Sequence, residues 1–264
     1  MRLLRRILTT VVITLGVIGL GAFWVAPVAL SFNAARKAPP VARVVPTNLK
    51  DVSVSQVPGT KVSYVGYEFE IPWNDLDEGQ TRSVPKDHPE MVALVFRSGL
   101  RLILSASPAR VLPMGFAQGM KISPQNVESI FGQGAALSDY GFYKNLYEFT
   151  PDKMHLWALF PSVHYREQLL LGVKDVLLAG SSADTGIFNI QNHDWRGFQL
   201  GDPQARPSRV AVRLCSDQGS VELTFAGRDG RGPVGVTQPE INRIVQSLHK
   251  APKVEPEPKL TSHN

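Results

Sequence analysis

The sequence contains a single cysteine, Cys215, among its 264 residues. One cysteine excludes an internal disulfide bond and a metal site built on several thiolates. Because no cysteine lies near the N-terminal apolar stretch, a cysteine-linked lipid anchor is excluded as well. The sequence also lacks an N-x-[ST] glycosylation sequon, which is compatible with a protein of the bacterial cell envelope.

Acidic residues are absent from the first 30 positions, and this imbalance explains most of the net charge of +5. The remaining residues, 31–264, carry 25 Lys and Arg against 23 Asp and Glu. They contain no Lys/Arg cluster of the kind that follows a phosphate backbone. The composition therefore argues against nucleic acid as a partner.

A run of 24 residues without a charge extends from Ile7 to Leu30. At ~1.5 Å per residue, a helix of this length crosses a hydrocarbon core of ~30 Å. The run exceeds the ~7–15 apolar residues of a signal peptide, no clean A-x-A cleavage site follows it, and Trp24 suits an interfacial position. We predict a signal anchor, a transmembrane helix over residues 7–30 in contact with the lipid bilayer. A cleaved signal peptide is the alternative.

The orientation of this anchor is not determined by the charges that flank it. Basic residues lie on both sides and nearly balance, with Arg2, Arg5 and Arg6 before the run and Arg36, Lys37, Arg43 and Lys50 after it. A very short leader followed by one long domain favours export of the domain. We therefore expect a single-pass protein of the cytoplasmic membrane, with its domain on the extracytoplasmic (periplasmic) side.

Proline-rich segments flank the predicted domain. Residues 31–60 contain four prolines and little periodicity, which predicts an extended linker. Residues 250–264 alternate proline with charge and are expected to form a disordered tail. The folded part is then a single domain over residues 61–249.

Within this domain, strand patterns come first and last, with helical patterns between them. The strand patterns are YEFEIPW from Tyr67, MVALVFR from Met91, LRLILSAS from Leu100, and segments that begin at Gly186, Trp195, Ser208 and Ser220. Turn residues at Ser98–Gly99 and at 216–219 predict two hairpins. The order predicts an α+β fold with a largely antiparallel sheet covered by helices and preceded by the transmembrane helix.

Helix starts are indicated by capping residues followed by proline or acidic positions. These signals are Ser123 before Pro124, Ser138, Thr150 before Pro151, and Thr237 with Glu240 as a capping box. Pro161 is expected to end or kink the third helix after Phe160. A further apolar helix, YREQLLLGVKDVLLAG, is expected to end at Gly180.

Three segments of the domain carry a resemblance to a known fold group. These segments are YEFEIPW, RGFQLGDPQARPSRVAVRLCSDQGSVELTFAG and QPEINRIVQSL. Their order, an opening strand and then antiparallel strands followed by an amphipathic helix, resembles the PsbP/Mog1-like fold group over about 190 residues. The resemblance implies a sandwich fold and an accessory or binding role, and it carries over no functional residue.

A serine hydrolase is the enzyme class that the sequence allows us to test. Ser182 and Asp184 follow an apolar segment, with His193 downstream. No G-x-S-x-G elbow is present, and the serine follows a predicted helix rather than a strand. The reading that we favour for these residues is a polar connection between a helix and a strand, with a Ser/Asp turn. An envelope hydrolase is therefore kept as an alternative.

Metal-binding patterns are weak, and no cofactor is expected. The histidines show neither H-x-H nor H-E-x-x-H spacing, although His164 and Glu167 share a helix face. The acidic segment NDLDEG from Asn74 resembles a calcium loop, but the position that needs Glu holds Lys86. The sequence predicts a solvated loop there.

The segment from Leu137 to Tyr165 holds eight of the 22 aromatic residues. Three tyrosines fall on one helical stripe, at Tyr140, Tyr143 and Tyr147, and Trp157 could form a wall beside them. Aromatic residues at helical spacing usually cover a sheet, but three hydroxyl groups would also suit a partly exposed groove. A membrane-facing surface is the third alternative. These four residues are the candidate ligand- or partner-binding site.

The function predicted from the sequence is that of a membrane-anchored extracytoplasmic binding or accessory protein rather than an enzyme. Its partner would be an envelope protein or a small apolar ligand. An envelope hydrolase and a purely structural spacer domain are the alternatives.

Overall fold

The structure, a computed structural model, describes residues 2–83, 90–178, 186–227 and 234–251. Six α-helices in this part are α1 (Arg2–Lys37), α2 (Val111–Met120), α3 (Pro124–Phe131), α4 (Asp139–Glu148), α5 (Pro161–Leu177) and α6 (Gln238–Ser247). The longer strands are β2 (Thr60–Tyr64), β3 (Tyr67–Ile71), β5 (Met91–Val95), β6 (Leu100–Ser107), β7 (Ile187–Gln191), β8 (Arg196–Leu200), β9 (Arg209–Ser216) and β10 (Gly219–Gly227). Three two-residue strands are β1 (Thr47–Asn48), β4 (Arg82–Ser83) and β11 (His249–Lys250).

Two sheets organise the domain. The larger has eight strands in the order β1-β7-β8-β9-β10-β6-β5-β4, and the smaller has three in the order β11-β3-β2. Only the β1–β7 pair of the described strands is parallel, and every other pair is antiparallel. The predicted α+β fold with a largely antiparallel sheet is confirmed.

One face of the large sheet is apolar because every second side chain of β9 and β10 is apolar and points to that face. Val212 pairs with Leu223 in register, and both side chains are fully buried. Ile241 and Ile244 of α6 pack into the same core, together with the small sheet. Each such side chain contributes about 1.5–3 kcal/mol when it leaves water. The predicted β9–β10 hairpin is thus the centre of the main core.

The opposite face is covered by the helices of the middle segment. Phe198 and Ala211 of this face are buried under Tyr143 and Tyr147 of α4. The helices α2 to α5 also share a core of their own, built around Phe131, Phe142, Leu146 and Leu170. This second layer positions the candidate site.

The capping signals of the sequence have different outcomes. Ser123 and Ser138 precede α3 and α4 as predicted, and the capping box at Thr237 is formed. The prediction for Pro161 is wrong, because Pro161 begins α5 instead of ending a helix. A proline in the first turn loses no hydrogen bond, since that N–H has no partner within the helix.

Three other helix boundaries differ from the prediction or extend it. Thr150 is followed by only a short 3₁₀ turn, Pro151–Lys153. Helix α2 was not predicted, and it follows Arg110, whose φ of 62° places it in the left-handed region. Helix α5 ends at Leu177, and Gly180, its predicted end, lies outside the described residues.

The first half of the predicted linker packs against the domain. Helix α1 continues to Lys37 and contacts α5. Beyond it, Val41 and Ala42 are buried, and β1 pairs with β7. Apolar side chains and backbone groups in residues 31–48 therefore find partners on the domain, and this stretch is not a free spacer.

The second half of the linker is hydrogen-bonded to α6. The side-chain amide of Asn242 donates to the carbonyl oxygens of Asp51 (3.0 Å) and Ser53 (2.7 Å). Arg243 Nη1 donates to the carbonyl oxygen of Ser55 at 2.7 Å. The folded unit thus begins before residue 61, the predicted boundary. Residues 252–264 of the predicted tail lie outside the described part.

The apolar N-terminal run lies in α1, and the structure describes only part of its side chains. Those of residues 2–13, 15, 17, 18 and 20 are outside the description. Among the described residues, no helix meets the length and apolarity needed to cross a membrane.

Lys174 of α5 ties three separate segments together. Its side chain is fully buried, and Nζ donates to the carbonyl oxygens of Val44 (2.8 Å), Tyr147 (2.9 Å) and Phe149 (2.8 Å). Burial lowers the pKa of Lys174 to about 8. The three donors of the ammonium match three acceptors, so one side chain joins α5, the end of α4 and the segment after α1.

We expect Lys174→Met to lower the free energy of unfolding by about 2–4 kcal/mol, because it leaves three inward-facing carbonyl groups without this donor. Urea unfolding of the two chains measures the difference. Lys144→Met is the matched control, since Lys144 is exposed on α4 and should change stability by less than about 0.5 kcal/mol. Equal effects of the two changes would contradict the role of Lys174.

Candidate functional site

The tyrosine helix α4 is fixed at its first turn by two side chains. Ser138 Oγ accepts a hydrogen bond from the amide of Gly141 at 3.0 Å. The buried carboxylate of Asp139 accepts from the backbone amides of Arg110 and Leu112, each at 3.0 Å. Because these amides lie at the start of α2, Asp139 fixes both helices relative to each other.

Two tyrosines of the predicted stripe form the contact between α4 and the large sheet. Tyr147 is fully buried and Tyr143 is 7% exposed. Their rings stack with centroids 5.5 Å apart, and Tyr147 meets Phe198 edge-on at 5.2 Å. Such pairs are typical of packed interiors. Of the three alternatives for the stripe (core, groove or membrane-facing surface), Tyr143 and Tyr147 belong to the core.

Arg213 of β9 satisfies the polar groups beneath these tyrosines. Its Nη1 donates to the hydroxyl of Tyr147, and its Nε donates to Glu222 at 2.9 Å. The guanidinium also lies 5.1 Å from the ring centre of Tyr143. Burial raises the pKa of Tyr147 to about 12, partly offset by Arg213, and it raises the pKa of Tyr143 further. Both hydroxyl groups are therefore neutral structural groups at ordinary pH.

The thiol of Cys215 lies in the same cluster and is unreactive. It is 5% exposed, and burial raises its pKa to about 12, with a further contribution from the carboxylate of Asp139. A nucleophilic cysteine needs a lowered pKa and access to solvent. Cys215 has neither.

Trp157 does not lie beside the tyrosine stripe. Its side chain is 82% exposed in the loop before α5, and its ring meets Phe32 of α1 edge-on at 5.1 Å. The structure therefore separates Trp157 from the other three predicted site residues.

Tyr140, the remaining member of the stripe, lines a groove. It is half-buried and stacks on Phe198, with ring planes 10° apart and centroids at 5.4 Å. Together with Gln191 and Arg196 it lines two adjoining hollows of about 290 and 410 Å³. We call this surface, defined by Tyr140, Gln191 and Arg196, the Tyr140 groove.

Each hollow adds polar side chains to the Tyr140 groove. The smaller is also lined by Asn48, Leu49, Val52, Asn189, Ile190, Gln199, Asn242, Val245 and Gln246. The larger is also lined by Ser138, Asn192, His193, Asp194, Trp195, Cys215, Ser216 and Asp217. Amide groups dominate the first hollow, and the carboxylates of Asp194 and Asp217 line the second.

The rear wall of the smaller hollow is rigid because its amides bond to one another. Gln199 and Gln238 exchange two hydrogen bonds, at 2.7 and 2.9 Å, and Gln238 also donates to Asn242 Oδ1 at 2.9 Å. All three side chains are buried. A satisfied buried network holds its members in one arrangement, so the rear wall of the smaller hollow is fixed.

Arg196 is the Lys or Arg side chain that lines the groove, and the exposed carboxylates of Asp194 and Asp217 also line its larger hollow. The guanidinium of Arg196 is exposed and forms no hydrogen bond or ion pair with the described residues, and the same holds for the hydroxyl of Tyr140. At the next residue, Gly197, strand β8 lies close against β9, because a Cβ there would lie 1.8 Å from the carbonyl oxygen of Arg213. A free guanidinium can pair with a carboxylate in two parallel hydrogen bonds.

Arg196 was missed in the sequence analysis, because the strand register that shows which residue faces it is visible only in the structure. It opens a predicted strand, and the residue opposite it in the neighbouring strand is Cys215 rather than an acid. An arginine without a cross-strand acidic partner is a candidate for ligand binding.

The residues of the hydrolase alternative are only partly described. Ser182 and Asp184 lie outside the described residues, and His193 is exposed in the turn between β7 and β8. The hydrolase therefore stays a prediction.

The metal-binding alternatives give way to structural hydrogen bonds. The described residues contain no group of three His, Cys, Asp or Glu side chains that could hold an ion. His164 pairs instead with Ser31 Oγ and with the carbonyl oxygen of Ala158, both at 3.0 Å. Glu167 Oε1 pairs with His155 Nδ1 at 2.6 Å. In the acidic loop, Asp75 accepts from the amide of Ser98 at 2.7 Å.

No family model, curated protein or solved structure matches this chain. The groove is therefore argued from its geometry and chemistry alone.

The raised pKa of Cys215 predicts a specific loss of stability at alkaline pH. The thiol ionises near pH 9 in the unfolded chain and near 12 in the folded chain, so its contribution is complete below pH 9 and is lost as the pH rises towards 12. We expect the unfolding free energy of the natural chain to fall, relative to that of Cys215→Ala, by about 1.4 kcal/mol per pH unit in this window. Urea unfolding at pH 8, 9.5 and 10.5 measures it, and parallel curves would contradict it.

Proposed function

We propose that this chain is a membrane-anchored extracytoplasmic binding protein whose domain holds a carboxylate-bearing peptide segment in the Tyr140 groove. The observation that carries the proposal is the unpaired guanidinium of Arg196 beside the unpaired hydroxyl of Tyr140, between two hollows. The polar lining favours a segment of an envelope protein over a small apolar ligand.

The chemistry of the lining supports a peptide as the ligand. Side-chain amides such as Asn189 and Gln191 both donate and accept, as the backbone of an extended peptide does. The apolar side chains of Val52 and Ile190 offer contact for alternate side chains of such a segment. Arg196 would then select a segment that carries a carboxylate.

The exposure of α1 supports the anchor. Phe23, Val25 and Leu30 are 50–65% exposed, so the domain does not cover them. Helix α1 contacts α5 through the carbonyl of Pro27 and the hydroxyl of Ser31, both of which accept from Gln168. The 20 charge-free residues before Pro27, residues 7–26, have the length of a bilayer span. The short leader supports the extracytoplasmic side, as in the sequence analysis.

The PsbP/Mog1-like resemblance is likewise kept as a proposal. The hairpin β9–β10 followed by the amphipathic helix α6 supports it. It agrees with a binding role but assigns no residue of the groove.

The anchor can be tested with two charges placed in the middle of the run. Gly16 and Gly19 are exposed, and a Cβ at either would meet no atom within 4 Å, so Gly16→Arg with Gly19→Arg leaves the domain undisturbed. Each arginine costs about 2.5–3.5 kcal/mol at the centre of a bilayer helix. We expect the variant to leave the carbonate-washed membrane fraction, in which the natural chain stays.

The matched control places the same two charges at exposed positions beyond the helix. Val52→Arg with Val57→Arg should leave the chain in the membrane fraction, because both side chains already face solvent. Equal membrane retention of all three chains, or release of the natural chain by carbonate, would contradict the anchor.

The ligand class can be tested with immobilised octapeptides that carry a central Glu, each paired with the same peptide carrying Gln. We expect the full chain in detergent to prefer the Glu peptides, and Arg196→Gln to weaken their binding about tenfold or more, which is ~1.4 kcal/mol. The preference should disappear in the variant, because Gln cannot form a charge-assisted pair.

Arg101→Gln is the control for this change. Arg101 is exposed on β6, away from both hollows, and its loss removes the same charge from the protein. Equal weakening by the two substitutions would show a general charge effect instead of a site. Absence of any Glu preference in the natural chain would contradict the proposal and favour the structural spacer.

A further inference from the structure

Three large apolar side chains are exposed together in the loop between the 3₁₀ turn at Pro151–Lys153 and α5. Trp157 is 82% exposed, Leu159 75% and Phe160 67%. Tyr165, in the second turn of α5, is also exposed, at 53%. Contiguous apolar exposure of this kind marks a surface that contacts another apolar phase. We call residues 156–160 the apolar loop.

The apolar loop is held in its exposed arrangement by buried polar groups of α5. The carboxylate of Glu167, which is fully buried, accepts from the backbone amide of His155 at 2.8 Å and pairs with its ring at 2.6 Å. At the other end, the ring of His164 donates to the carbonyl oxygen of Ala158 at 3.0 Å. Two buried charged or polar side chains thus fix the backbone on both sides of Trp157, and the outward direction of its side chain is built into the fold.

The same helix fixes the apolar loop against the end of the apolar run. Ser31 Oγ bonds to His164 at 3.0 Å and to Gln168 at 2.9 Å. Trp157 meets Phe32 edge-on at 5.1 Å. Phe32 lies two residues beyond Leu30, a rise of ~3 Å along a helix. The loop therefore lies within a few ångströms of the place where the charge-free run ends.

The charges around this place suit an anionic bilayer surface. Residues 31–43 and 151–168 contain five Lys or Arg and two Asp or Glu. Both acids have partners, because Asp152 pairs with Arg43 at 2.8 Å and Glu167 pairs with His155. Basic side chains beside exposed Trp and Phe form the combination that binds the headgroup layer of anionic lipids.

We propose that the apolar loop inserts Trp157, Leu159 and Phe160 into the interfacial layer of the bilayer that residues 7–30 span. This inference rests on the anchor in the proposed function. The loop is a second membrane contact beside the anchor, and two contacts on one bilayer prevent the domain from rotating freely about a single helix. The Tyr140 groove then keeps one orientation relative to the membrane.

The test places a polarity-sensitive dye on the apolar loop of the full chain. Leu159→Cys is made in a Cys215→Ala background, labelled with a thiol-reactive nitrobenzoxadiazole, and reconstituted into vesicles of phosphatidylcholine and phosphatidylglycerol. Gln218→Cys in the same background is the control, since it lies in the exposed β9–β10 turn. Phe160→Cys is a second probe of the loop, so the result does not depend on one variant.

We expect dye at positions 159 and 160 to emit at shorter wavelength and to be quenched by iodide several-fold less than dye at position 218. Equal iodide quenching at all three positions in chains that resist carbonate extraction would overturn the loop contact and leave the anchor intact. Loss of the chains from carbonate-washed vesicles would overturn the anchor and this inference together. Replacement of phosphatidylglycerol by phosphatidylcholine should reduce the protection at 159, and unchanged protection would overturn the role of the basic residues.

Discussion

The buried ammonium of Lys174 is the constraint on which the helical layer depends. A cation in the interior is tolerated only when its donors are satisfied, and here three carbonyl groups from two other segments converge on it. Two of those carbonyls, from Tyr147 and Phe149, terminate the tyrosine helix, where the helix dipole favours a positive charge. The third, from Val44, belongs to the chain that leaves α1. One side chain thus sets the position of the segment that follows α1 and of the tyrosines together.

The two faces of the large sheet at β8, β9 and β10 differ in the chemistry of their side chains. One face is apolar and closed by α6, so it contributes most of the burial. The other face carries Arg213, which bonds to Tyr147 and Glu222, and the neighbouring strand β8 carries Arg196, which has no partner among the described residues. Two arginines in neighbouring strands therefore differ, because Arg213 is bonded to Tyr147 of α4 whereas Arg196 is exposed. The carboxylate binding that we propose for the groove rests on this difference.

Local sequence signals predicted the strands and several helix N-termini. The position of the candidate site depends on contacts between residues that are distant in sequence. Alternation in β9 and β10 and the capping box at Thr237 act over a few residues, so both were predicted. Pro161 was misread because a proline can end one helix or begin the next, and only packing decides between them. The Tyr140 groove joins residues from α4, β7 and β8, and no local pattern brings them together.

The segment that forms helix α5 was predicted to be an apolar helix, but its buried face carries polar side chains. Its sequence contains LLLGV, yet its buried face carries His164, Glu167 and Lys174, each with a hydrogen-bond partner from a distant segment. Polar groups at successive turns make the helix specific about its neighbours, because a misplaced neighbour would leave a buried charge unpaired. Apolar packing alone would allow α1, the apolar loop and α4 to shift along α5. The hydrogen bonds of the buried polar face therefore fix the positions of α1, the apolar loop and α4 relative to α5.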